Sequence, residues 1–203
     1  MSLRFVLTLH SHLPWVLHHG RWPHGSDWLC EAAVDTYLPL LIGLDTLEHQ
    51  RVASPLTIRG DAVRIEGHGA HTTSLRADLG SSADVLTVGD GSGSGRNVFL
   101  TDFTIYGLGA GKFRDGVVVD GATWPTLQNL SVSHAGRYAF RIRGTMHARL
   151  SHLRARNAGT GLWIGATAAG VEATTVHVSQ FATTSSGGPG VIVEKAFGVL
   201  LDQ

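Results

Sequence analysis

A chain of 203 residues with 16 basic and 16 acidic side chains has no net charge, and no basic run breaks that balance, which excludes the electrostatic footprint of a nucleic-acid or anionic-membrane binder. No apolar run approaches the roughly 18 residues needed to cross a bilayer as a helix. Glycine at 26 positions, abundant Val, Thr and Ser, and only 16% charged residues suit closely spaced turns and few helices.

Residues 1–58 differ in texture from the rest. Three of the five Trp, six of the twelve His and the single cysteine, Cys30, fall within the first 50 positions. One cysteine closes no internal disulfide, so the redox compartment is left open. The opening has one positive charge and a short apolar run that His10 and His12 interrupt before any small-residue cleavage site. Arg4 to Leu9 therefore reads as a buried strand and not as a secretion signal, and the expectation is a chain that stays in the cytoplasm. Residues 13–26 form a loop rich in Pro, His, Gly and Trp, after which Ser26 or Asp27 caps a helix over 27–48. Leu29, Ala32, Ala33, Tyr37, Leu40, Leu41, Leu44 and Leu47 recur in it at helical spacing, with a kink at Pro39. A strand from Ser54 to Ile58 follows, which makes strand, loop, helix, strand: the opening of an α/β unit whose parallel neighbours this chain does not supply. An amphipathic helix of this kind also serves as an end cap for a stack of strands. His10 and His12 have the i, i+2 spacing of a metal pair, but the remaining ligands are missing, and no metal or other cofactor is expected.

From residue 59 a repeat takes over. Leu127, Leu130, Val132 and Gly136 recur 23 positions later as Leu150, Leu153, Ala155 and Gly159, and a further step of 23 reaches Ala173, Val176 and Val178. A second series pairs Val117 and Val119 with Phe140 and Ile142, then Leu162 and Ile164, then Val191 and Val193. Upstream, Leu100, Phe103 and Ile105 precede the first series by 27, and Leu86 and Val88 precede the second by 31. Two short alternating segments per repeat, parted by Gly-containing turns, predict stacked parallel strands. An inward face of Val, Ile, Leu and Phe that no single strand can bury is buried by an equivalent strand about 4.8 Å above it. The expected fold is a mainly β, right-handed parallel β-helix, or solenoid, of about five coils over 59–203. Its last strand, Phe197 to Leu201, is expected to leave an open end.

The run His10-Ser-His-Leu-Pro-Trp15, then Gly20-Arg-Trp-Pro-His-Gly-Ser-Asp-Trp28, then Glu31-Ala-Ala and Thr36-Tyr-Leu-Pro-Leu-Leu41 resembles the N-terminus of family-57 glycoside hydrolases, specifically the 1,4-α-glucan branching enzymes. The resemblance implies that His10 contacts sugar and that Trp22 and Trp28 sit on a loop closing over a glucan. It also implies two catalytic carboxylates on later strands, and nothing after residue 58 resembles those segments. The chain thus reads as two unrelated sequences joined near Thr57-Ile58-Arg59.

Residues 59–203 resemble the parallel β-helix, or pectate-lyase-like, superfamily through Ile65-Glu-Gly-His-Gly-Ala-His-Thr-Thr-Ser-Leu75 and Asn97-Val-Phe-Leu-Thr-Asp-Phe-Thr-Ile-Tyr-Gly107. That resemblance speaks to fold more than to activity, because the superfamily's members differ in their sites. At the steps above, one outward column reads Asp102, Asn129, His152, Thr175; the next reads Thr104, Ser131, Arg154, His177; a third reads Tyr106, Ser133, Arg156, Ser179. Asp102, His152, Arg154 and His177 are the candidate catalytic group on this face, with Tyr106 and Arg156 beside them to hold substrate. Guanidinium forks match the carboxylates of an acidic polysaccharide. On the other sheet, Arg141 and Trp163 form a second candidate platform for a sugar ring.

Hydrolysis by inversion asks for carboxylates roughly 6.5 to 9.5 Å apart, and Asp102, Asp115, Asp120 and Glu194 are scattered over different columns. The expected function is therefore polysaccharide or oligosaccharide binding by a carbohydrate-associated β-helix, with catalysis absent or incomplete. Three alternatives stand beside it: a polysaccharide lyase or glycosidase acting through the outward face, a remnant of a glucan branching enzyme, and a structural solenoid. The glycine-rich strings at 89–95 and 107–112 read as turns, since neither has the form of a phosphate loop.

Overall fold

The computed structural model describes the backbone of residues 49–202 and the side chains of 52–202. Contacts divide the chain into Met1–Leu47 and Glu48–Gln203. The predicted first strand, the capping helix and residues His10, Trp22 and Trp28 lie outside the described residues.

The described residues contain fourteen strands and no helix: β1 (His49–Val52), β2 (Leu56–Ile58), β3 (Arg64–Glu66), β4 (Ser74–Ala77), β5 (Leu86–Gly89), β6 (Phe99–Gly107), β7 (Asp115–Asp120), β8 (Thr126–Ser133), β9 (Tyr138–Arg143), β10 (Arg149–Arg156), β11 (Thr160–Gly165), β12 (Ala173–Thr184), β13 (Val191–Val193) and β14 (Ala196–Asp202). All pair in parallel. One sheet runs β1-β4-β6-β8-β10-β12-β14, with β3 also on β6; the other runs β13-β11-β9-β7-β5-β2. Successive coils alternate between the two sheets, the coil between β2 and β5 giving the first sheet two short strands, β3 and β4, and the described region is a parallel β-solenoid of about five turns.

Inward columns stack as the repeat requires. Leu100, Leu127, Leu150 and Val178 are in register, as are Phe103 with Leu130 and Leu153 with Phe181. On the opposite wall Leu86, Val117, Phe140, Leu162 and Val191 form one column, and Val88, Val119, Ile142, Ile164 and Val193 another. Most of these side chains are fully buried, and each contributes roughly 1.5–3 kcal/mol by leaving water. The first sheet's strands are not straight. Left-handed residues interrupt them at intervals of five: Trp124, Asn129 and His134 in one coil, His147, His152 and Asn157 in the next, Thr175, Gln180 and Ser185 in the one after. Each such residue turns the chain a corner, so this wall has two flat legs per coil.

One expectation changes. Leu150 pairs with Val178 and Arg149 with His177, a step of 28 where 23 was expected. The extra residues sit in the turn between β11 and β12, because Ile142 to Ile164 is a step of 22 while Met146 to Thr174 is already 28. The expected pairs Ala173 with Leu150, Val176 with Leu153 and Val178 with Ala155 therefore do not form, and Val178 pairs with Leu150 instead. Ala173, Val176 and Val178 lie one corner earlier in the coil.

Candidate functional site

A groove of about 710 Å³ lies along the second leg of the bent sheet, past the Asp102 corner. Its floor is set by register. Arg76, Tyr106, Ser133, Arg156 and Thr184 form one outward column, and Ser74, Thr104, Ser131, Arg154 and Ala182 the next. Alternation within each strand sends Phe103 and Ile105 inward and leaves Thr104 and Tyr106 outside. One rim is the loop between β3 and β4, pinned over the corner by Gly67 N–H to the Thr101 carbonyl at 2.9 Å and Gly69 N–H to the Asp102 carbonyl at 3.0 Å. Only glycine permits this passage, since a Cβ on residue 67 would fall 2.1 Å from the Asp102 carbonyl oxygen. The Thr104 hydroxyl also bonds the Ala70 carbonyl. The loop thereby brings His71 to Arg154, Nε2 to Nη1 at 3.4 Å.

Among the described residues the groove is electropositive: Arg76, Arg154 and Arg156 are exposed and make no salt bridge with a described residue, and no described carboxylate lines the groove. Tyr106, 41% exposed, is steadied by an edge-on contact with the His134 ring at 5.1 Å, and His134 is met in turn by Asn157 at 3.2 Å. Three unpaired guanidiniums, an imidazole and a phenol on a floor of hydroxyls can receive an anionic, hydroxyl-rich chain. Arg76 and His71 were not among the residues singled out by sequence. The signal for Arg76 was present, since Leu75 precedes Ile105 by 30 and places Arg76 beside Tyr106; His71 belongs to a loop, and no periodicity positions loops.

The candidate catalytic residues do not converge. Asp102 occupies the corner itself (φ 63°), as does His152 (φ 52°). The Asp102 carboxylate accepts hydrogen bonds from the Thr101 hydroxyl and the Asn129 amide, both at 2.5 Å. Those two bonds, Thr101 first, hold its carboxyl below the ordinary aspartate range against a smaller opposing effect of burial. It is engaged in fastening one coil's corner to the next. His177 lies on the first leg, in register with Phe99, Thr126 and Arg149, and across the corner from Arg154, whose partner in β12 is Ala182.

On the other sheet Val118, Arg141, Trp163 and Ile192 are in register as expected, but this face is covered. Val118 is fully buried and Trp163 only 9% exposed. Trp163 is held by Glu194, Nε1 to Oε2 at 3.4 Å, with the Arg141 guanidinium 5.3 Å from its ring. Around them runs a series of ion pairs between coils: Arg114 with Asp84, Arg137 and Arg141 with Asp115, Arg143 with Asp120. Burial, reinforced by Arg137 and Arg143 on either side, pushes the Arg141 guanidinium below its usual value. Trp163 keeps little open surface for a sugar ring.

No family model and no solved structure matches the chain. Short stretches match curated proteins. Over 37 residues, 18% of this chain, it is 60% identical to a "Probable 1,4-alpha-glucan branching enzyme" in each of two Mycobacterium tuberculosis strains, CDC 1551 / Oshkosh and H37Rv, covering 7% of each. Over 61 residues, 30% of this chain, it is 41% identical to a 1,4-alpha-glucan branching enzyme of Thermococcus kodakarensis, covering 9% of it. The chain thus spans less than a tenth of the curated relatives it matches.

Proposed function

We propose that the solenoid binds an acidic polysaccharide along the groove that Arg76, Tyr106, Arg154 and Arg156 define. The observation that carries this reading is the unpaired charge. Elsewhere, arginines of the described region that lie among carboxylates pair with them, as Arg114, Arg137 and Arg143 do, whereas these three face a groove with no acid among its described residues. A guanidinium left free on a solvated β face is well placed to take a uronate carboxylate through two parallel hydrogen bonds. The short likeness to enzymes named for glucan branching supports carbohydrate as the ligand class. Among the described residues the groove has no pair of carboxylates for glycoside hydrolysis, which favours retention of the polymer over its cleavage.

The test is binding of polygalacturonate oligomers to the full chain at two salt concentrations, with Arg154→Ala/Arg156→Ala beside the parent. Exposed ion pairs contribute about 0.2–1 kcal/mol each, so the double variant is expected to bind roughly 2- to 30-fold more weakly, and salt to weaken the parent more than the variant. Unchanged affinity in the double variant would overturn the proposal.

A further inference from the structure

The first leg of the bent sheet, on the far side of the Asp102 corner from the arginine groove, carries a second feature of different chemistry. Left-handed residues recur there as Asn97, Trp124, His147 and Thr175, one per coil, joined by backbone hydrogen bonds from Asn97 N–H to Thr123, Trp124 N–H to Met146 and His147 N–H to Thr174. Asparagine suits this conformation because it tolerates a positive φ better than other side chains; a tryptophan there (φ 55°) carries a backbone cost of roughly 1–2 kcal/mol. Burial does not repay that cost, since Trp124 is 52% exposed. The ring instead lies parallel to His147 at 5.8 Å and 12°, and Phe99, 42% exposed, stands on the adjoining strand. Together they border a groove of about 500 Å³, also lined by Asn97, Thr126, His147, Arg149, Thr175 and His177, with no carboxylate among the described residues that line it.

From this we infer that the ridge is a second carbohydrate subsite, one that holds pyranose rings by stacking and so takes them without a carboxylate. A flat aromatic face held open to solvent matches the C–H surface of a sugar ring, while the Asn97 amide and the hydroxyls of Thr126 and Thr175 meet its hydroxyl groups. Neither Trp124 nor Phe99 faces the arginine groove, and this inference does not rest on that groove's role. An apolar protein segment is the less fitting occupant, because amide and hydroxyl groups are interleaved with the rings and would be left unpaired beneath it.

The experiment is calorimetric titration of the full chain with maltohexaose and with cellohexaose up to about 10 mM, the regime of weak contacts, alongside Trp124→Asn and Phe99→Thr. Asparagine removes the ring while relaxing the backbone, so Trp124→Asn is expected to fold at least as stably as the parent and to lose at least tenfold in affinity for the sugar that binds. Phe99→Thr, which keeps a strand-forming residue, is expected to lose affinity in the same direction. No heat from either neutral hexasaccharide, undiminished binding by Trp124→Asn, or self-association abolished by Trp124→Asn would each overturn the inference.

Discussion

Replacing Asp115 with alanine should destabilise the solenoid more than any comparable change among its ion pairs. Asp115 opens β7 and is completely buried. Its carboxylate accepts from Arg137 Nε at 2.9 Å and Nη2 at 2.5 Å and from the Tyr138 N–H at 3.2 Å, with Arg141 Nη1 3.5 Å away. Alanine would leave Arg141, whose side chain is 18% exposed and whose Nε is already buried without an acceptor, beside Arg137 and Arg143 with no counter-charge. Breaking one side of a buried pair costs 3–5 kcal/mol. Arg137, 39% exposed, regains water when released, which places the expected cost near the lower end, about 3 kcal/mol. At roughly 2–4 °C per kcal/mol for a unit of this size, the melting temperature should fall by about 6–12 °C. Asp84→Ala is the control: Arg114 grips Asp84 through the same two-pronged geometry, both contacts at 2.7 Å, but at 41% and 13% exposure, so its cost should be about 1 kcal/mol. Asp115→Asn should fall between, because an amide oxygen still accepts from the Tyr138 N–H. Urea unfolding followed by circular dichroism and by tryptophan fluorescence, with coincident transitions and an unchanged m-value, measures all three. Equal costs for Asp115→Ala and Asp84→Ala would refute the argument that burial sets the magnitude.

Two further outcomes follow from the corners and turns. His152→Asn places a side chain that tolerates φ 52° at the corner directly above Asn129, extending the Asp102–Asn129 contact by one coil, and should raise stability by about 0.5–1 kcal/mol; a loss in denaturant midpoint would contradict a structural role for that corner. Asp90 is drawn down to about 2 by the hydroxyls of Ser92 and Ser94 and by the Ser92 N–H. Because its folded value lies below that of a free aspartate, at about 3.9, its contribution is complete above that value and is lost as pH falls toward about 2. Asp102 is shifted in the same direction by Thr101 and Asn129. A carboxyl NMR titration with the Asp90 inflection near 3.9 would show that the Gly89–Gly95 turn does not close as described.

How far the fold could be read from the sequence depended on which residues face inward. Leu86 to Val117, Val117 to Phe140, Leu100 to Leu127 and Leu162 to Val191 were all correctly spaced, at four different step lengths, because burial restricts inward positions to apolar residues while turns absorb insertions. The site was less legible. Tyr106 and Arg156 fall in one column as expected, and Arg154 lies beside them, but Arg76 and His71 complete the groove through an earlier coil and a loop. The outward face of the second sheet was expected to be open, yet Val118 and Trp163 are buried; a strand's alternation distinguishes its two faces and does not say whether the outer one is covered.

The misplacement of His177 has a specific physical origin. Leu150, Leu153 and Ala155 have gaps of three and two because the wider gap holds a left-handed corner residue, His152. That spacing occurs twice in β12, at Ala173, Val176, Val178 and again at Val178, Phe181, Thr183, since corners recur every five residues, at Thr175 and Gln180. Apolar spacing fits the first at all three positions and the second only at Val178 and Phe181, so it selects the match that is one corner out of phase. Hydrogen bonding resolves it by pairing Leu150 with Val178 and Leu153 with Phe181, which lets the larger side chains fill the interior. The same slip of one corner moves His177 from the leg that bears Arg154 to the leg that bears Trp124. One cluster of four becomes two surfaces, one built on Arg76, Arg154 and Arg156 and one on Phe99, Trp124, His147 and Arg149, set on either side of the Asp102, Asn129, His152, Gln180 corner; a single sugar chain would have to cross that corner to engage both.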